Sequence, residues 1–175
     1  MKIYAFYDTD IYGNEEYDIR GDSYEKLLRI CCSNSSVLCL KFLFPDLIAA
    51  DQLKDFEISK PKNITMISNS SCYCCVKFYR VCPELCDAMI GIAGGIFEWL
   101  CGWGFRNPDD PTFYRSDGTV FFVSEIHSGV CAIIPRKDEC LEDILQVVPW
   151  LSGDDIWARD RMWLRKIADC SADRE

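Results

Sequence analysis

Asp117-Gly118, set between two apolar runs, is the strongest local constraint on how this chain folds. Both central positions of a two-residue hairpin turn take positive φ, which Gly adopts freely and Asp tolerates, so the pair predicts an antiparallel hairpin. Its arms are Phe113-Tyr114-Arg115 and the run TVFFVSEI from Thr119 to Ile126. A second turn at His127-Ser128-Gly129 leads into VCAIIP, ending at Pro135. Residues 112–135 therefore read as a three-stranded antiparallel meander. TVFFVSEI is apolar on both faces at its start, which suits a central strand.

The rest of the chain adds strands and helices without regular alternation. Lys2 to Tyr7, Val37 to Leu43 and Cys72 to Val81 have strand character, and Lys60-Pro61-Lys62-Asn63 is a breaker. Ser23 is a candidate N-cap for a helix through Leu27, Leu28 and Cys31 that stops near Asn34, and residues 45–56 hold a short helix. Pro83-Glu84 opens the clearest helix, predicted to run to about Leu100, with Leu85, Met89, Ile92, Ala93, Ile96 and Leu100 on one face. Gly91, Gly94 and Gly95 lie opposite, where missing side chains suit close approach of another backbone. Asp138 to Val148 and Asp154 to Cys170 read as two more helices. Strands grouped between helices predict an α+β fold: an antiparallel sheet packed with four or five helices. With 175 residues, 49% of them hydrophobic, one domain spanning 1–175 is expected.

Charge narrows the function. The formal net charge is -9, and the segment from Pro83 to Trp150 alone holds 11 acidic against 4 basic residues. Such a field repels phosphate backbones and anionic membranes and attracts cationic surfaces, so neither nucleic acid nor membrane is expected as a partner. The longest apolar run, Ala88 to Leu100, contains Glu98 and is short of the roughly 20 residues that span a bilayer. The opening residues reach Asp8 after a short apolar stretch and lack a cleavage-like site, so a cytoplasmic protein is expected. Twelve cysteines in that setting read as thiols.

Several residues invite a chemical reading. Cys72, Cys74, Cys75, Cys82 and Cys86 are dense enough to suggest a zinc-stabilised module, although no Cys-x-x-Cys knuckle and no nearby His completes it. His127 is the one histidine, so any thiol- or hydroxyl-based hydrolase must use it, with Ser124 or Cys131 closest in sequence. Asp8-Thr9-Asp10, at the end of a predicted strand, resembles the nucleophile motif of haloacid-dehalogenase-like phosphatases. Ser68, Lys77 and Gly153-Asp154-Asp155 stand where that family's remaining motifs would fall. The resemblance implies Mg²⁺-assisted phosphohydrolysis through Asp8, Asp10 and Asp154. It departs at Ile11-Tyr12 and in the meander, which does not suit that family's parallel sheet. No motif calls for an organic cofactor or a resident metal, and none is expected.

The stretch from Cys101 to Arg115 combines Trp103, Phe105, Phe113 and Tyr114 with Arg106, Arg115, Asp109 and Asp110, and carries two prolines. It reads either as a loop whose aromatics complete the core or as a preordered recognition surface. Asp160 falls within the apolar face of the last helix, where a carboxylate needs a structural partner or serves a cationic ligand. Size, acidity and the lack of a catalytic signature favour a non-enzymatic binding protein, of the inhibitor or toxin-immunity kind, that occupies a basic protein partner. Trp103, Phe105, Arg106, Asp109 and Asp110 are the candidate contacts, and Glu15, Glu16 and Asp18 form a second acidic patch that steers encounter.

Overall fold

The computed structural model describes residues 2–9, 17–44, 48–67, 75–102 and 105–172. Along the first half run β1 (Tyr4–Tyr7), α1 (Gly21–Ser33), β2 (Val37–Phe42), α2 (Ile48–Leu53), β3 (Glu57–Ile58) and β4 (Cys75–Arg80). The second half holds α3 (Pro83–Ile92), β5 (Cys101–Gly102), β6 (Phe105–Arg106), β7 (Asp109–Tyr114), β8 (Val120–Glu125) and β9 (Val130–Ile133). It closes with α4 (Leu141–Leu145), β10 (Leu151–Ser152) and α5 (Ala158–Ala172). Eight strands form one antiparallel sheet in the order β10-β1-β9-β8-β7-β2-β4-β3, and β5 pairs only with β6. The fold is α+β. None of its helices, among the described residues, is long and apolar enough to cross a membrane.

The expected meander is β7-β8-β9, at the middle of this sheet. Of the Asp117-Gly118 pair only Gly118 takes positive φ, +85°, so the turn is longer than the two-residue one expected: Gly118 N–H donates to Arg115 O at 3.0 Å and Arg115 N–H to Thr119 O at 2.8 Å. Both faces of the sheet are covered, which is why β2 and β8 lack the alternation of a half-solvated strand. On one face Leu38, Leu40, Phe42, Phe113, Phe122 and Ile133 pack with Leu27, Leu28 and Cys31 of α1 and Leu85 and Met89 of α3. On the other, Tyr7, Val37, Cys39, Tyr114, Val123 and Ala132 meet Leu164, Ile167 and Ala168 of α5. Phe121 is the extra residue of a bulge, since Tyr114 pairs with Val120 while Phe113 pairs with Phe122. Its ring lies 5.2 Å from the buried Arg115 guanidinium.

Four helices differ from the sequence expectation. The Pro83 helix ends at Ile92, and Gly95, with extended backbone, bridges Arg20 beside the Asp18 carboxylate. A Cβ on Gly95 would lie 2.2 Å from Asp18 Oδ2, so this glycine does serve a close approach, whereas Gly91 has nothing within 4 Å of its Cβ position. Ile96 and Trp99 still reach the core, through a 3-10 turn at Ile96–Glu98. The last helix starts at Ala158, because Gly153 turns the chain at φ +62° into a separate 3-10 turn. Helix α1 begins at Gly21, two residues ahead of the expected Ser23 cap, and α4 covers only 141–145 of the expected 138–148.

Arg115 ties the meander together beyond its ladder. It donates to both carboxylate oxygens of Glu139, at 2.6 and 2.7 Å, and to the carbonyls of Val120 and Ile134. Replacing one member of such a pair strands the other in a poorly solvated place. Arg115→Met is therefore expected to lower the unfolding free energy by about 3–5 kcal/mol, read from urea denaturation.

Beside it, Asp117 accepts from Arg136, from Thr119 N–H at 2.9 Å and from the Thr119 hydroxyl at 2.7 Å. Desolvation pushes the Asp117 carboxyl up, but these donors outweigh it and bring the pKa from 3.8 down to about 2. A carboxyl depressed on folding contributes stability that is complete above its unfolded pKa and is lost as pH falls through the folded one. Between about pH 4 and about pH 2 the urea midpoint should fall more steeply in the wild type than in Asp117→Asn.

Candidate functional site

Antiparallel register brings the chemistry-bearing residues to one end of the sheet. Phe42 pairs with Cys75, Lys41 with Asp109, and Val130 with both Glu125 and Tyr7. Strands β1, β2 and β8 finish at this end, and β4, β7 and β9 begin there. Loops at one end of a rigid sheet are the usual carriers of binding residues.

The first feature at this end is a buried ionic cluster. Cys39 pairs with Thr112 and Lys41 with Asp109, so Asp110 and Pro111 together face Leu40 as a bulge in β7. Asp110 takes φ +54°, a region that Asp tolerates better than most residues, and Pro111 has no N–H to withhold from the ladder. Asp110 Oδ2 accepts from Lys41 Nζ at 2.8 Å, and Oδ1 accepts from Ile126 N–H at 2.8 Å. Both side chains are buried. Asp109 is fully buried as well, with its Oδ2 3.1 Å from Nε2 of the half-exposed His127.

These positions correct the reading of Asp109 and Asp110 as outward contact residues: each carboxylate is held inside by a cation or imidazole from a neighbouring segment. They also give His127 a partner that local sequence did not reveal. A carboxylate only accepts, so in this contact Nε2 carries the proton. The nucleophiles considered for it are committed elsewhere. Ser124 is buried and donates to Pro111 O at 2.9 Å, and burial pushes the Cys131 thiol well up.

The second feature is an open cleft of about 620 Å³ lined by Asp8, Tyr17, Asp18, Arg20, Phe97 and Glu98, among others. Asp18, the one member of the expected acidic patch within the described residues, accepts from Arg20 Nε at 2.8 Å and from Phe97 N–H at 3.1 Å. Glu98 accepts from Gly94 N–H at 2.7 Å and lies 3.5 Å from Arg20 Nη2. Asp8 N–H donates to Gly129 O at 2.9 Å. Gly129 takes φ +65°, and a Cβ there would lie 2.0 Å from the Asp8 carboxylate, so the His127 turn abuts the cleft through a required glycine. Phe105 and Arg106 form β6, opposite Gly102 and Cys101. Trp103, Glu15, Glu16 and Asp10 lie outside the described residues, as do Ser68, Cys72 and Cys74.

Among the described residues, two alternative constellations do not assemble. Ser152 pairs with Tyr4, so Asp154 leaves β10 at the opposite end of β1 from Asp8, and it is ion-paired with Arg161 at 3.0 Å. Lys77 sits in β4, bonded to Glu57 at 3.0 Å, and the sheet is antiparallel. The phosphatase motif set is thus dispersed. Cys75 pairs with Phe42 at the loop end while Cys82 caps α3 beyond the other end of β4, which separates the five-cysteine set. Cys86 instead is buried in the core on α3. Among the described residues, no three metal-ligating groups gather.

Asp160 has the structural partners its position demands. It is buried 3.1 Å from Arg159 Nε and beside the Tyr7 hydroxyl, which accepts from Trp157 N–H at 3.1 Å. Burial first, then the Asp160 charge, pushes the Tyr7 phenol up. Tyr7 stacks on Trp157 at 4.1 Å, which seats the start of α5 on the sheet.

Set against known proteins, this chain matches no family model, no curated protein and no solved structure. Lys41 is the site residue most open to detection from sequence: a lysine inside VLCLKF demands a buried counter-charge. Lys41→Met is expected to cost about 3–5 kcal/mol by stranding Asp110, and Asp110→Asn added to it should recover part of that loss. A urea double-mutant cycle reads both.

Proposed function

We propose that this protein is a non-enzymatic acidic binding protein, of the inhibitor or immunity kind, that occupies a basic protein partner. The acidic cleft receives a lysine- or arginine-bearing segment of that partner. One observation carries the reading: Asp8, Asp18 and Glu98 line the cleft, with Arg20 as the counter-charge of Asp18 and Glu98, beside the rings of Tyr17 and Phe97. Such a site offers a cation carboxylate oxygens now shared with Arg20, together with aromatic rings. Its volume lies in the range of clefts that take a few side chains. The net charge of -9 draws a basic partner from a distance and speeds encounter.

The buried Asp109 and Asp110 serve this reading as scaffold rather than contact, since they fix the β7 bulge and the His127 turn behind the cleft. Glu15, Glu16, Trp103, Phe105 and Arg106 remain proposed contacts, on their charge and aromatic character. The free thiols among the described cysteines support a cytoplasmic setting.

The test is binding of a fluorescent lysine- and arginine-rich peptide, followed by recovery of a partner from native lysate. Affinity is expected to fall at least about tenfold between about 0.05 and about 0.5 M salt, as screening removes the attraction. Asp18→Asn combined with Glu98→Gln keeps side-chain shape and removes two charges, and should weaken binding by about tenfold. Circular dichroism checks that the variant folds. Salt-insensitive binding, or unchanged affinity in the folded double variant, would overturn the cleft as the docking site.

A further inference from the structure

The outer face of α5 carries a cationic row on an acidic chain. Ala158, Met162, Arg165 and Asp169 recur at helical spacing, so they share one side of the helix, and all are exposed. Leu164, Ile167 and Ala168 occupy the inner side, packed on the sheet. Met162 is 66% exposed, an apolar side chain held out among charges. The cations of α5 divide into two kinds. Arg159 lies 3.1 Å from Asp160 and donates to Ser128 O, and Arg161 lies 3.0 Å from Asp154. Arg165 and Lys166 are exposed and, among the described residues, make no ion pair. The cleft has the reverse pattern, with carboxylates at Asp8, Asp18 and Glu98, one cation at Arg20, and the rings of Tyr17 and Phe97. Within one chain the two surfaces cannot meet. Helix α5 packs on one face of the sheet, whereas α1, α3 and Phe97 pack on the other, and the α5 row points away from the sheet altogether.

We propose that the α5 row of one copy of this chain docks in the acidic cleft of a second copy, a head-to-tail contact that occupies the cleft until a basic partner displaces it. The inference rests on the reading of the cleft as a site for cationic side chains. Arg165 and Lys166 reach the Asp18 and Glu98 carboxylates in competition with Arg20, and Asp169 offers the displaced guanidinium an acceptor. Met162 lies against the rings of Tyr17 and Phe97, a contact that thioethers make favourably. The two surfaces differ, so the contact is heterologous: a dimer keeps one open cleft and one free α5 row, and growth continues past two copies unless a ring closes. At a net charge of -9 the copies repel at long range, so the contact relies on patches that act at short range once salt screens the net repulsion.

The experiment is analytical ultracentrifugation of the full chain from micromolar to submillimolar concentration at about 0.15 M salt, where the screening length is about 8 Å. The wild type is expected to gain mass with concentration. Arg165→Glu combined with Lys166→Glu reverses the row and leaves the cleft intact, and should move association to at least about tenfold higher concentration. Asp18→Asn combined with Glu98→Gln leaves the row intact and should do the same. Mixed together, the two variants should form a one-to-one dimer and nothing larger, because one supplies only a cleft and the other only a row. Circular dichroism checks that each folds. Should the cleft variant fail to fold, the α5 variant decides, along with dissociation of wild-type oligomers by the lysine- and arginine-rich peptide. A wild type that stays monomeric, an α5 variant that associates as the wild type does, or two folded variants that do not dimerise when mixed overturns the proposal. Peptide binding to the α5 variant reads the cleft separately, so a monomeric wild type that still binds the peptide overturns the self-contact alone.

Discussion

The Lys41–Asp110 contact is the interaction on which the loop end of the sheet depends. It joins β2 to β7 at the point where β7 takes in an extra residue, with both side chains buried. A slip of one residue in either strand would turn alternate side chains from one covered face to the other. An apolar pair would tolerate such a slip better than a buried lysine held by Asp110. Desolvation offsets much of the attraction in a buried ion pair, so its contribution here is to register more than to net stability. Asp110 extends that register to a third segment by taking the Ile126 N–H, which sets the turn that carries His127.

What was legible in the sequence divides by range. The meander was legible because Asp117-Gly118 and its flanking apolar runs are contiguous, and the start of α3 was legible because Pro83 and Glu84 are local signals. The end of α3 was not: the apolar spacing of Ile96 and Leu100 continues a helical pattern, and only the approach of Asp18, 77 residues before Gly95 in the chain, explains why the backbone extends there. Asp109 and Asp110 looked like loop acids beside two prolines. Their partners are 18 and 69 residues distant, and no local pattern announces them. Of the candidate site, Asp18 was legible by charge alone, whereas Phe97 and Glu98 were assigned to a helix that had already ended.

The acidic surplus is consequently of two kinds. Part of it is neutralised inside the protein, by Lys41 at Asp110 and by Arg115 at Glu139, and contributes little to the outer field. Part of it faces solvent at the cleft, where one exposed guanidinium, Arg20, stands between Asp18 and Glu98. A cation entering the cleft competes with a side chain that is 64% exposed and loosely held, so displacing it costs less than breaking either buried pair.

Helices α1 and α3 run antiparallel and connect the two ends of this side of the molecule. Their Arg20–Gly95 end forms one wall of the cleft, and the Arg29–Asp87 contact lies about two and a half helical turns away. Between them Trp99 Nε1 donates to the Tyr24 hydroxyl at 2.7 Å, which in turn faces Met89 O. These polar contacts join one helix to the other or to the turn that follows α3.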